Sequence, residues 1–252
     1  MTPPPFNRPP GYHRIEVVGS FKELVATRFA KGVNARCWPR VLPGDFGEVV
    51  AQLGAGEGIV AVDDARLRAL ALSAAGRVAG ETLREDLRLL RAHELDPALN
   101  CIHGYPCAEE PGPVPTDVFS FHADSATVEA DTWLCTYHGL SSEGLRNDEA
   151  RRRVDIPVTR AELLRLYGGE DDEGFLEYLN ENFYDLHYAP LPQARPFFRT
   201  FQLISSSRGG SPGRVAGARW MHGGTGLPGQ SVAMRQRLPR PKEKGRACGS
   251  GA

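Results

Sequence analysis

Along the first ninety positions apolar residues recur at helical spacing. Phe21, Leu24, Val25 and Phe29 share one face of a helix predicted over 21–31. A second helix is predicted over 45–53. A third, longer helical region covers 64–93, where Asp63 or Asp64 can cap and Leu67, Leu70, Leu72, Val78, Leu83, Leu87 and Leu90 supply the stripe. Gly76 and Gly80 are expected to break or kink it. The segment NARCWPR at 34–40 reads as extended. From Leu95 the pattern changes. Residues 96–117 read as a proline-rich loop, and short runs of aromatic and β-branched residues follow at 118–124, 132–137, 197–205, 214–222 and 231–238, each read as a strand. A helical insertion over 159–183 opens with the capping-box spacing of Thr159 and Glu162. The expected fold is α+β, with 1–95 a helical N-terminal support region and 96–252 a β-rich core carrying the insertion, the two forming one compact unit. The Ser- and Gly-rich stretch 205–214, with Arg208 and Arg214, is a candidate lid.

Composition narrows the classes. The chain has 252 residues, and 30 Lys+Arg against 31 Asp+Glu leave a formal net charge of -1. Such a balance predicts no electrostatic grip on nucleic acid or on an anionic membrane, the basic stretch from Arg235 to Arg246 being a local exception. No run of apolar residues is long enough for a membrane helix, and MTPPPFNRPP lacks the apolar centre of a secretory signal, so a soluble cytoplasmic protein is expected. Five scattered cysteines argue for reduced thiols over a disulfide scaffold. The 28 Gly and 20 Pro residues interrupt regular elements too often for a pure helical bundle.

Candidate chemistry centres on His122-x-Asp124 at the end of a predicted strand, with His222 far downstream at the end of another. In a strand residues i and i+2 point to the same side, so His122 and Asp124 can chelate one ion, and a third ligand must come from a neighbouring strand. Two imidazoles and one carboxylate on one face of a metal leave open positions for a cosubstrate and O2. His187, in YDLHYAP, competes with His222 for the third position. A His-x-Asp/Glu pair arises by chance about once in a chain of this composition. The added weight comes from Arg235 and Arg237, which alternation places with Ser231 and Ala233 on one strand face; a planar guanidinium suits a carboxylate held bidentately. Their alternative reading is solvated charge on an edge strand.

This pattern of HxD, distal His and following Arg over residues 118–238 resembles the Fe(II)/2-oxoglutarate-dependent dioxygenases. The resemblance implies a double-stranded β-helix, or jelly-roll, core. It also implies His122, Asp124 and His222 as Fe(II) ligands, with Arg235, or failing it Arg237, as the anchor of the cosubstrate 2-oxoglutarate. Oxidative decarboxylation of that cosubstrate by O2 would be coupled to hydroxylation of a small molecule such as an amino acid or a natural-product intermediate. Asp124 stands where the halogenating branch of the superfamily has a small residue, which favours hydroxylation. A second resemblance, carried by Asn34-x-x-x-Trp38-x-Arg40, His122-x-Asp124 and Thr136-Tyr137-x-Gly139-x-x-x-Glu143, is to a family of uncharacterised bacterial proteins and implies no chemistry.

Trp133, Tyr137, His138, Glu143 and Arg146 follow the ligand strand and are the candidate substrate-facing set; core or rim packing is the competing role for the tryptophans and for Tyr137. Cys101-x-His103-x-x-x-Cys107 lacks both a fourth ligand and the Cys-x-x-Cys pairing of a structural zinc site, so an ordered loop is expected there. No P-loop, strand-following Gly-x-Gly-x-x-Gly or Gly-x-Ser-x-Gly elbow occurs. Two other functions are compatible with these residues: a cupin-like metalloprotein that does not use 2-oxoglutarate, and a non-catalytic metal-binding protein.

Overall fold

The computed structural model describes residues 6, 8–26, 30–33, 35–104, 112–117, 119–123, 130–139, 143–197, 202–208, 221–223 and 231–236, the last three segments and 130–132 as backbone alone. In chain order the elements are β1 (Ile15–Val17), α1 (Phe21–Ala26), β2 (Ala35–Pro39), α2 (Phe46–Leu53), β3 (Ile59–Val62), α3 (Asp64–Ala69), α4 (Ala74–Ala92), β4 (Pro97–Ile102), β5 (Phe121–His122), β6 (Ala130–His138), β7 (Glu143–Leu145), β8 (Ala150–Arg152), α5 (Pro157–Tyr167), α6 (Glu173–Glu181), β9 (His187–Pro190), β10 (Gln202–Arg208), β11 (Met221–Gly223) and β12 (Ser231–Gln236). They form a seven-stranded sheet, ordered β1-β2-β10-β6-β12-β4-β3, and a five-stranded sheet, ordered β7-β11-β5-β9-β8. Among the described strands only the β1–β2 pair is parallel. The protein is thus a mixed α+β structure in which neither sheet closes on itself.

The helical front half expected from the sequence also carries strands. β1, β2 and β3 are members of the larger sheet, and β3 pairs with β4 across the expected boundary at 95/96. β4 lies inside the segment read as loop. Its sequence PALNCI alternates sides, with Leu99 and Cys101 in the core, and its proline sits at the first position, where a strand tolerates the missing donor. The long helix is interrupted at Leu70–Ser73, ahead of Gly76 and Gly80, because Ser73 caps a new helix by accepting from the Gly76 amide. In the insertion, α5 starts at Pro157, so Thr159 lies inside the helix instead of capping it, and Asp172 caps α6. Ser205–Arg208 of the expected lid are part of β10, while 209–214 lie outside the described residues.

One face of the larger sheet is covered by α2 and α4. Ala79, Leu83, Leu87 and Leu90 recur along α4 and are buried with Phe46, Val49, Val50 and Leu53 of α2 and with Leu99, Cys101, Trp133, Cys135 and Tyr137 of the sheet. Each such aliphatic side chain contributes about 1.5–3 kcal/mol through burial. Within this core lies a polar cluster. Arg40 binds Asp86 through both terminal nitrogens, at 2.7 and 2.6 Å, and the Tyr137 hydroxyl donates to the same carboxylate at 2.7 Å. Arg40 also stacks on Trp38, 4.5 Å from the ring centroid, and approaches the Cys135 sulfur at 3.6 Å. Burial pulls the Arg40 guanidinium down, but its bonds to Asp86 outweigh this and hold it above its ordinary range. Burial pushes the Cys135 thiol up to about 11 and the Tyr137 phenol well above its usual value. Trp38, Arg40 and Tyr137 of the second motif therefore converge on one structural ion pair.

Gly44 locks the loop before α2 onto α4. Its φ is +103°, and a Cβ there would stand 2.3 Å from the Ala79 amide nitrogen. Backbone cannot yield as a flexible side chain can, so Gly44→Ala is expected to cost about 2 kcal/mol or more, read as a lowered denaturant midpoint at unchanged slope.

Candidate functional site

The five-stranded sheet aligns the histidines. His222 of β11 pairs with His122 of β5, and His122 pairs in turn with His187 of β9. On the other side His222 pairs with Gly144, which forms a bridge to Phe197. Directly paired residues lie on the same face of a sheet, so Phe197, Gly144, His222, His122 and His187 occupy one row on one face. Phe197 shows where that face looks, because its ring is buried with Ile15 of β1 and with Ala35 and Cys37 of β2. It is the face turned towards the larger sheet. There, the register runs Cys37–Ile204–Leu134–Arg235–Ala98, which gives Arg235 a register position on the face shared with Cys37. Asp124 and Arg237 lie outside the described residues.

Ser120, immediately before β5, orders two of the imidazoles. Its carbonyl lies 2.7 Å from His122 Nδ1; a carbonyl only accepts, so Nδ1 carries the proton and Nε2 is the lone-pair nitrogen. The Ser120 hydroxyl contacts His187 Nδ1 at 2.6 Å and the Asp117 carbonyl at 3.0 Å. With the hydroxyl proton given to that carbonyl, His187 Nδ1 is the donor and its Nε2 is the basic nitrogen as well. Asp117 holds this turn by accepting from the Phe119 and Ser120 amides at 2.8 and 3.0 Å. The His122 and His187 rings lie 5.6 Å apart, centroid to centroid.

His187 is buried, and desolvation, reinforced by His122 and Arg153 against Asp117, lowers its pKa to about 4. In the metal-free chain the unfolded state therefore binds a proton that the native state refuses between about pH 6.5 and 4. Stability is complete above this window and declines as pH falls through it, by about 1–3 kcal/mol after screening. Urea titrations of wild type and His187→Phe at pH 7.5 and 5 are expected to show the decline in wild type and a flatter profile in the variant.

The expected substrate-facing residues are distributed elsewhere. Trp133 and Tyr137 sit on the helix-facing side of β6, buried in the core, because alternation turns 133, 135 and 137 away from the side that carries Leu134. His138 lies against the start of α2, its Cε1 3.2 Å from where a Gly47 Cβ would be. Glu143 is one position from Gly144 in β7 and so occupies the opposite face from the row. Arg146 pairs with Asp148 at 2.8 Å, covers the Tyr12 ring and donates to the Pro10 carbonyl, which ties it to the segment ahead of β1. Cys101 is buried in the helix-facing core, and Cys107 lies outside the described residues. Sequence reading overlooked Ser120, Arg153 and Asn100; the last pairs with Ala233 and shares the Arg235 face. Only their folded neighbours identify these residues, since none belongs to a recognisable spacing.

Among the described side chains no group of three His, Cys, Asp or Glu is assembled as a metal site. An open, largely apolar groove of about 660 Å³ lies between α4 and the end of β2, lined by Trp38, Leu42, Val78 and Leu89, and shares no residue with the histidine row. Among the described residues no helix is long and apolar enough to cross a membrane. No protein-family model and no curated protein matches the chain. Among solved structures it is similar to the "Crystal structure of the Kdo hydroxylase KdoO, a non-heme Fe(II) alphaketoglutarate dependent dioxygenase in complex with cobalt(II)", at 9% sequence identity and a TM-score of 0.38, over 89% of this chain and 88% of that one.

Proposed function

We propose that the protein is an Fe(II)/2-oxoglutarate-dependent oxygenase that hydroxylates a small molecule in the space between the two sheets. The observation that carries this reading is the register that sets His222 directly across from His122. His122 suits a ligand's role, since it gives its Nδ1 proton to a backbone carbonyl, as metal-bound imidazoles do. His122, Asp124 and His222 would hold the iron, whose chemistry is the activation of O2 alongside the bound 2-oxo acid. Arg235, on the facing sheet, would hold the distant carboxylate of 2-oxoglutarate through its planar fork. Ser120 keeps His122 in the ligating tautomer, and Phe197 with its apolar neighbours excludes water from one end of the row.

A jelly-roll arrangement accompanies this proposal. The orders β4-β12-β6-β10 and β5-β11-β7 followed by the Phe197 bridge interleave early and late strands as two four-stranded halves of such a core do. β1, β2, β3, β8 and β9 then extend its edges. The second reading, favoured by His187 standing beside His122, is a cupin-like centre of three imidazoles that does not use 2-oxoglutarate.

Anaerobic addition of Fe(II) and 2-oxoglutarate to the chain separates the two. The oxygenase reading expects a metal-to-ligand charge-transfer band in the visible, lost in Arg235→Ala. A chain that binds Fe(II) but develops no band with 2-oxoglutarate would support the three-imidazole centre instead.

A further inference from the structure

The geometry points to Arg153 as the anchor for an oxyanion, a carboxylate or phosphate group, on the small molecule that the site accepts. β8 pairs with β9 as far as Arg152 and Tyr188, so Arg153 follows at the end of the ladder, next to the strand position of His187 in the row of His222, His122 and His187. There the chain turns into a short 3-10 helix, Arg153–Asp155, which ends the pairing and frees the side chain from the ladder. Arg153 is among the charges that bear on His187, which agrees with this placement.

Its neighbours Arg151 and Arg152 both serve Asp155. Arg152 takes both oxygens of Asp155, at 2.8 and 2.9 Å, and Arg151 takes the Asp155 carbonyl. The Asp117 carboxylate accepts from two backbone amides. Arg153 has neither an ion pair nor a side-chain hydrogen bond to any described residue, and its Nε is buried without a partner. A guanidinium always carries its charge and presents parallel donors, and leaving its Nε buried without an acceptor is unfavourable unless a ligand supplies one. The group that does so must be an anion small enough to enter beside the histidines. Carboxylates and phosphates share that chemistry.

This assignment rests on the oxygenase reading and adds a direction to it. Arg235 on the larger sheet takes the cosubstrate, Arg153 at the far end of the smaller sheet takes the acidic end of the substrate, and the metal ligands lie between them. The substrate class is therefore an acid or a phosphorylated compound whose reacting carbon is set back from its charged group.

The test uses the full chain with Mn(II) and saturating 2-oxoglutarate, so that the Arg235 position is filled. Inorganic phosphate and acetate are titrated separately, followed by tryptophan fluorescence and by Mn(II)-induced relaxation of the probe's nuclei. Saturable binding of one of them is expected; the one bound more tightly tells phosphate from carboxylate. Arg153→Met should weaken it about tenfold or more, Arg153→Lys should retain most of it, and neither change should alter 2-oxoglutarate affinity. Equal probe binding by wild type and Arg153→Met, or no binding of either probe to wild type, overturns the assignment. If the wild-type chain takes up no 2-oxoglutarate yet binds a probe through Arg153, the oxygenase reading fails while the anion anchor stands.

Discussion

His122→Ala is expected to remove tight metal binding altogether. His122 occupies the centre of the row, flanked in register by His222 and His187, so every ligand combination available on this face includes it. Changes to groups that merely orient metal ligands cost about 10–100-fold in affinity, and loss of a ligand should exceed that. Anaerobic titration with Fe(II), or with Co(II) followed through its d–d absorption, should therefore show no stoichiometric uptake by the variant. His222→Ala should behave similarly. On the oxygenase reading His187→Ala should leave one equivalent bound, because His187 is not among its three proposed ligands, whereas a three-imidazole centre would lose it. One equivalent of tightly held metal in His122→Ala would rule out this row as the metal centre.

The second large effect lies in the core. Asp86 accepts from Arg40 through both oxygens and from Tyr137, with the two charged side chains only 5% and 10% exposed. Asp86→Ala leaves a buried guanidinium without its counter-ion, a loss of about 3–5 kcal/mol by comparison with other broken buried pairs. Chemical denaturation should show this as a much lower midpoint. The double variant Arg40→Met with Asp86→Leu should recover much of the loss, since a well-packed apolar pair avoids desolvating charges. A single variant within 1 kcal/mol of wild type, on the order of an exposed ion pair, would show that the cluster is hydrated in solution.

These two sites show how differently sequence and structure carry information. His122-x-Asp124 and His222 could be picked out because metal-ligating residue types are few and their strand spacing is local. Arg40, Asp86 and Tyr137 come from three separated elements, and no spacing in the chain announces that they meet. The same blindness explains Trp133 and Tyr137: alternation along β6 is legible, but which side faces α4 and which faces the second sheet is not. Arg153 was invisible for a further reason. Its significance lies in lacking a partner, and partners are a property of the folded neighbourhood.

The chain by itself determined the helix α2 and the apolar stripe of α4, whose periodicity is local, and most of the late strands, whose β-branched and aromatic runs need no partner to be recognised. It also supplied the short list of residues proposed as metal ligands. Tertiary structure alone decided that β1, β2 and β3 join strands from the other end of the chain in one sheet, that a proline-led segment after α4 becomes β4, and that three distant histidines form a row. The physical reason is common to all three. Strand pairing satisfies backbone donors and acceptors between segments far apart in sequence, so its register, and every side-chain alignment that follows from it, is set only when the sheets assemble.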